Sequence, residues 1–318
     1  MPRLTDQPPL LIRNELAALN RSLDETVPKK HEGQNLLIAT WNIRSFSSLT
    51  RKWTALQSDS PKRDLRGLRA ICDIVSRFDV IAIQEVKGNL RALRDMMGFL
   101  GERWAFLMTD ITLGAAGNAE RMAFVFDTSR VKPSGLACEL VVPPEWLAEV
   151  SENARRNQFA RTPYAVSFKT GNTTFILVTL HVDYGNSASD RICELQAIAR
   201  WMKEWAERES KWHHNLMVLG DFNIERHGDE LWQAFTSTGL TVPAELQTVP
   251  KSIFDDESDP NDKFYDQIAW FGSALDMKFS TGGCFDFLGH LYTDVGLSKR
   301  SISYRISDHY PLWAEFCL

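Results

Sequence analysis

The sequence predicts an α/β fold in which two packed sheets carry helices on their outer faces. Short, continuously apolar runs alternate with amphipathic helical stretches, and such runs suit strands covered on both faces. The 318 residues are 44% hydrophobic and 24% charged, so there is apolar material for a large core.

Taken in order, the predicted strands are 36–41, 79–86, 106–111, 122–126, 174–182, 216–219, 267–271 and 312–316. Helices are predicted over 64–78, with Leu65, Leu68, Ile71, Val75 and Phe78 along one face, then over 89–100 and 189–207. Residues 1–34 read as an N-terminal extension to a domain spanning 35–318. Within it Ile12, Leu16, Leu19 and Leu23 recur at helical spacing over 9–24, and Pro28 follows. This helix is expected to pack on its own body or to meet a second copy or another protein.

A formal net charge of −5 lacks the basic signature of proteins that coat nucleic acid. It is compatible with an enzyme, because a divalent-cation site concentrates carboxylates. Cys72, Cys138, Cys193, Cys284 and Cys317 are scattered, with no close pair that reads as a zinc site, and fit a reducing compartment. No apolar run is long enough for a secretory signal or a bilayer span, so the expectation is a soluble cytoplasmic protein without a membrane partner.

The ionisable residues cluster at strand ends, where side chains are rigidly supported yet open to solvent. Glu85 follows Val80-Ile81-Ala82-Ile83, and Asp221 follows Leu216-Met217-Val218-Leu219. Carboxylates and amide oxygens are what hard cations such as Mg²⁺ take, and Glu85, Asp308, Asn42 and Asn223 offer them. His181 and His309 lie beside such clusters, where imidazole can move a proton or stabilise a phosphoryl oxygen. His213 and His214 read as turn residues, and His31, His227 and His290 have no partner pattern.

In this order the segments Ala39-Thr40-Trp41-Asn42, Ile83-Gln84-Glu85-Val86, Glu120-Arg121, Arg161-Thr162-Pro163, Leu180-His181, Gly220-Asp221-Phe222-Asn223, Tyr265-Asp266 and Ser307-Asp308-His309-Tyr310-Pro311 resemble the endonuclease/exonuclease/phosphatase superfamily, most closely its deoxyribonuclease I group. The resemblance runs from about Leu36 to Phe316. It implies a deoxyribonuclease I-like four-layer α/β sandwich of two packed mixed sheets. It also implies that Glu85, Asn42 and Asp308 hold Mg²⁺ or Mn²⁺, with Ca²⁺ as a structural ion. His181 oriented by Glu120 and His309 oriented by Asp266 would flank the scissile phosphate. Asp221 and Asn223 would position the nucleophile or a second cation, and Arg161, Arg44 and Lys87 would contact phosphate.

Two departures bear on substrate. Residues 47–66 form a longer insertion with Arg51, Lys52, Trp53, Lys62, Arg63 and Arg66, which reads either as a nucleic-acid grip or as a solvated loop. Residues 112–119 lack the arginine and tyrosine with which deoxyribonuclease I meets the minor groove, a loss that Arg155 and Arg156 could offset. The expected activity is metal-dependent hydrolysis of phosphodiesters, with DNA as partner and endonuclease as the reading. The alternative is a phosphatase or phosphodiesterase acting on a small-molecule or lipid phosphoester. A non-catalytic binding module fits worst, since every ionisable position is filled.

Overall fold

A computed structural model describes residues 2–113, 117–140, 161–185, 188–207, 215–255, 259, 262–272 and 275–318. Among them, one sheet is built from β1 (Asn35–Phe46), β2 (Val80–Lys87), β3 (Trp104–Met108), β4 (Glu120–Asp127), β10 (Lys278–Cys284) and β11 (Leu312–Cys317), in the order β10-β11-β1-β2-β4-β3. The second holds β5 (Lys132–Glu139), β6 (Tyr164–Thr170), β7 (Thr173–His181), β8 (Leu216–Asp221) and β9 (Asp266–Trp270) in sequence order. Both are mixed: β1 and β2 are parallel, as are β7 and β8, and the other neighbours are antiparallel.

Parallel neighbours need a crossover, and a helix supplies each one. α2 (Leu65–Val75) lies between β1 and β2, and α4 (Ala188–Glu207) lies between β7 and β8. Alternation along β1 explains its unbroken apolar run. Leu36 and Ile38 face the second sheet, whereas Leu37, Ala39 and Trp41 face the helices α1 (Leu10–Thr26), α2 and α3 (Arg91–Leu100). The four-layer sandwich of the sequence reading is therefore the observed architecture.

The strands β5 and β10 were not predicted. Both are edge strands, and their residues alternate between exposed and half-buried or carry two glycines, so neither produces an apolar run. β6 is interior but is interrupted by the buried Ser167, whose Oγ accepts from the Leu136 amide at 2.9 Å. Three short helices, α5 (Glu230–Thr236), α6 (Ala244–Gln247) and α7 (Lys299–Ser303), were also too brief for a periodic signal.

The N-terminal helix packs on its own body. Ile12, Leu16, Leu19 and Leu23 are buried in the helix layer, and Glu15 meets the fully buried Arg66, with 2.5 Å between Oε2 and Nε. Arg66 also bonds Asp294 at 2.6 Å, and its guanidinium lies 4.4 Å from the Tyr292 ring. This corrects the grip reading of the 47–66 insertion. Arg63 is buried too, and it donates to the carbonyls of Arg44, Ser45, Arg305 and Ile306 at 2.6 to 3.2 Å. Inward-facing carbonyls need donors, and a guanidinium has five. Arg51 pairs with Asp95, Lys52 with Asp59, and Lys62 with loop carbonyls, while Trp53 packs against the helix layer.

Removing one partner of a buried ion pair strands the other charge. Glu15→Ala is therefore expected to lower unfolding stability by roughly 3 kcal/mol in urea titration, the low end for such pairs. A change within ~0.5 kcal/mol, usual for surface sites, would show that the helix is not anchored through this pair.

Candidate active site

The predicted site residues converge because of strand direction. β1, β2, β7 and β8 run the same way as their parallel partners, so Asn42, Glu85, His181 and Asp221 emerge at C-terminal ends, where open α/β sheets bind ligands. Antiparallel neighbours present their beginnings at that same edge. Glu120 opens β4 opposite Lys87, Asp266 opens β9 opposite Asp221, and Asp308 and His309 precede β11.

Gly220 brings the second sheet's strands close. Its φ is +148°, and a Cβ there would meet the Leu180 carbonyl oxygen at 2.1 Å, so only glycine allows this pairing. His181 and Asp221 thereby become cross-strand neighbours, with Nε2 to Oδ2 at 3.5 Å. The same Oδ2 accepts from Asn42 Nδ2 at 2.9 Å and lies 3.9 Å from His309 Nε2. Burial pushes the Asp221 carboxyl up, but the two imidazoles, Asn42 and the Asn223 amide outweigh it and hold it below the usual range.

Each histidine has an acid behind it. His309 Nδ1 donates to Asp266 Oδ2 at 2.6 Å. Burial alone would lower the His309 pKa, yet Asp266, Asp221 and Asp308 raise it well above the ordinary imidazole value. The backbone that carries it is laced down: Trp41 Nε1 donates to the His309 carbonyl at 2.8 Å, and Ile253 N and Ser252 Oγ donate to that of Asp308. Ser307 Oγ donates to the Asn42 carbonyl at 2.6 Å and accepts from the amides of Arg44 and His309.

His181 Nδ1 lies 3.2 Å from Glu120 Oε2, close but not aligned as a hydrogen bond. Arg161 Nε approaches that oxygen at 2.8 Å, and Lys87 Nζ and Asn118 Nδ2 reach Oε1 at 2.7 and 2.5 Å. Burial raises the Glu120 pKa, but His181, Arg161 and Lys87 bring it down to about 2. Lys87 and Arg161, read from sequence as phosphate contacts, are thus paired with an acid of the same cluster. Arg44 is paired as well, to Asp308 Oδ2 at 3.1 Å. Asn223 donates its side-chain amide to the Val182 carbonyl at 2.6 Å, holding the β7 loop to the β8 loop.

Glu85 stands in a backbone bulge. Its φ is +60°, and the β2 register shifts against both neighbours, between Ile83 and Val86 on one side and opposite Asn42 to Phe46 on the other. Such a residue is costly and re-aims its side chain, a pattern typical of functional positions. Its Oε2 accepts from the Ser45 amide at 2.7 Å. The Asn42 Oδ1 is buried without a hydrogen-bond partner, an acceptor that a cation would satisfy. Among the described residues no group of three or more His, Cys, Asp and Glu side chains is assembled as a metal cage. Two carboxylates and an amide oxygen instead suit a hard cation that retains waters and a phosphate oxygen.

Sequence reasoning gave no role to Ser307, to Asn118, or to the buried bridge from Gln84 Nε2 to Thr40 Oγ1 and across the sandwich to Thr179 Oγ1, at 3.1 and 2.9 Å. Ser307, Gln84 and Thr40 stand inside the quoted motifs, whereas Asn118 and Thr179 lie only near them. Arg155, Arg156, His213, His214 and residues 114–116 of the 112–119 segment lie outside the described residues. His227 bonds Gln247, and His290 bonds Ser22.

Two acid-backed imidazoles around a carboxylate, at one edge of a two-sheet sandwich, suit the hydrolysis of phosphoester bonds. The sequence pattern of the Endonuclease/Exonuclease/phosphatase family matches residues 39–309, and the chain belongs to that family. A deoxyribonuclease of Thioalkalivibrio sp. (strain K90mix) is 27% identical over 289 residues, which cover 89% of this chain and 71% of the relative. Two solved structures from Bacteroides thetaiotaomicron share the fold. One is an endonuclease/exonuclease/phosphatase family protein (18% identity, TM-score 0.60, 89% of this chain and 98% of that one). The other is a mannosyl-6-phosphatase (17% identity, TM-score 0.57, 89% and 100%). No helix among the described residues is long and apolar enough to cross a membrane.

The folded state binds the Glu120 proton more weakly than an ordinary carboxyl with its value of 4.5. Its stabilisation is therefore fully present above about pH 4.5 and is lost as pH falls toward 2. Glu120→Gln should flatten the acid limb of stability against pH in that window. Parallel acid limbs for the variant and the parent would contradict this.

Proposed function

We propose that this protein is a nuclease that hydrolyses DNA phosphodiester bonds with Mg²⁺ or Mn²⁺, as an endonuclease in the cytoplasm. The observation that carries the reading is the placement of His181 and His309 on either side of Asp221, each backed by its own acid. The sequence likeness to a deoxyribonuclease supports DNA as substrate.

Asn42 Oδ1, Glu85 and Asp308 would hold the cation, with Ca²⁺ as a structural alternative. When bound it supplies positive charge to a phosphoryl oxygen. His309, held between Asp266 and Asp221, carries a proton toward the phosphate and stabilises charge on its oxygen. His181, with Nδ1 turned to Glu120, presents Nε2 to the seam as acceptor for the water's proton. Asp221 orients that water, and Asn223 keeps the Asp221 loop in place. Arg161, Lys87 and Arg44 set the local charge, and Arg161 and Lys87 do so through Glu120.

The second reading, a phosphatase or phosphodiesterase acting on a small-molecule or lipid phosphoester, is favoured by one feature. Residues 112–119 carry neither arginine nor tyrosine for a duplex groove.

A cleavage panel over plasmid, linear and single-stranded DNA, RNA and phosphomonoesters separates the two. Plasmid nicking should require Mg²⁺ or Mn²⁺, stop in EDTA, and fall at least ~100-fold in His181→Ala and His309→Ala, as for loss of a general acid or base. Intact plasmid alongside a hydrolysed phosphomonoester would select the second reading.

A further inference from the structure

Two exposed tyrosines near the site are each braced by an arginine. Tyr184, three residues beyond His181 on the rim of the second sheet, is 53% exposed. Its hydroxyl donates to Glu225 Oε1 at 3.1 Å, and the guanidinium of Arg191 lies 4.4 Å from its ring centroid. Arg191 is itself buried, bonding the same Glu225 oxygen at 2.6 Å and the Asn223 carbonyl at 3.3 Å. The ring is therefore tied to the loop that carries Asp221.

Tyr304 repeats the device on the rim of the first sheet. It is 42% exposed, and the Arg44 guanidinium lies 4.1 Å from its centroid. Arg44 is fixed by Ser303 Oγ at 2.8 Å and Asp308 Oδ2 at 3.1 Å. An exposed aromatic side chain gains little from such bracing in stability alone. Pre-ordering one leaves a flat surface beside the reacting phosphate at little entropic cost on binding.

We propose that Tyr184 and Tyr304 are stacking shelves for the nucleobases on either side of the scissile phosphate, so that the site takes unpaired nucleotides in preference to intact duplex. The proposal rests on the phosphodiesterase reading above. In nucleic acid the groups flanking a phosphodiester are nucleosides, and base stacking on an aromatic ring tolerates any sequence. Bases inside a paired duplex have their faces already covered by neighbours, so a shelf of this kind selects splayed or single-stranded nucleotides. The absence of arginine and tyrosine from 112–119 points the same way, since duplex groove contacts are not provided there.

The test compares KM for a single-stranded oligonucleotide, for the same sequence fully paired, and for the same strand with abasic sugars in place of its nucleosides, which has nothing to stack. Tyr184→Leu and Tyr304→Leu should each raise the ratio of the oligonucleotide KM to the abasic-strand KM roughly tenfold, the size of one lost base stack. Tyr184→Trp should restore it. An unaltered ratio with working hydrolysis, or a parent enzyme that prefers the paired strand, overturns the shelves alone. A parent that hydrolyses none of the three overturns the phosphodiesterase reading as well.

Discussion

The 2.9 Å hydrogen bond from Asn42 Nδ2 to Asp221 Oδ2 joins the C-terminal end of one sheet's parallel pair to that of the other. The gathering of acids and histidines at this edge depends on that registry. Asn42 and Glu85 belong to the first sheet and Asp308 to the loop before its last strand, while His181, Asp221 and Asp266 belong to the second. One layer deeper, Gln84 reaches Thr179 across the sandwich and repeats the constraint with a second buried polar contact. A slip by one residue would turn every side chain at the strand ends to the other face.

Charge in this region is arranged in closed sets. Glu120 answers Lys87, Arg161 and His181, Asp266 answers His309, and Arg44 answers Asp308. Such pairing lets a chain with a net charge of −5 keep buried cations at this edge of the sheets. It also separates two kinds of arginine. Arg63 and Arg66 serve carbonyls and an ion pair inside the fold, whereas Arg44 and Arg191 are stacked on exposed rings near the site.

Unusual backbone conformations occur at strand ends that carry the cluster. Glu85 and Asn223 hold positive φ without being glycine, and Gly220 adopts a conformation its neighbours leave open only to glycine. Each lies at or just beyond the C-terminal end of its strand. Packing of the two cores over- determines these positions and keeps them in place.

From residue order alone, the class of fold, the strands of both parallel pairs with the helices between them, the N-terminal helix and the strand-end placement of acids and histidines were legible, because periodicity and strand-end placement are local properties. Edge strands such as β5 and β10 were not, since a strand with an uncovered edge need not be continuously apolar. Nor could the string say which acid stands behind which lysine or arginine. Arg63 and Arg66 looked like a surface grip until the fold turned them inward, and Lys87, Arg161 and Arg44 looked free until Glu120 and Asp308 met them. Those outcomes depend on distances between residues far apart in the chain, and only the packing of one sheet on the other sets such distances.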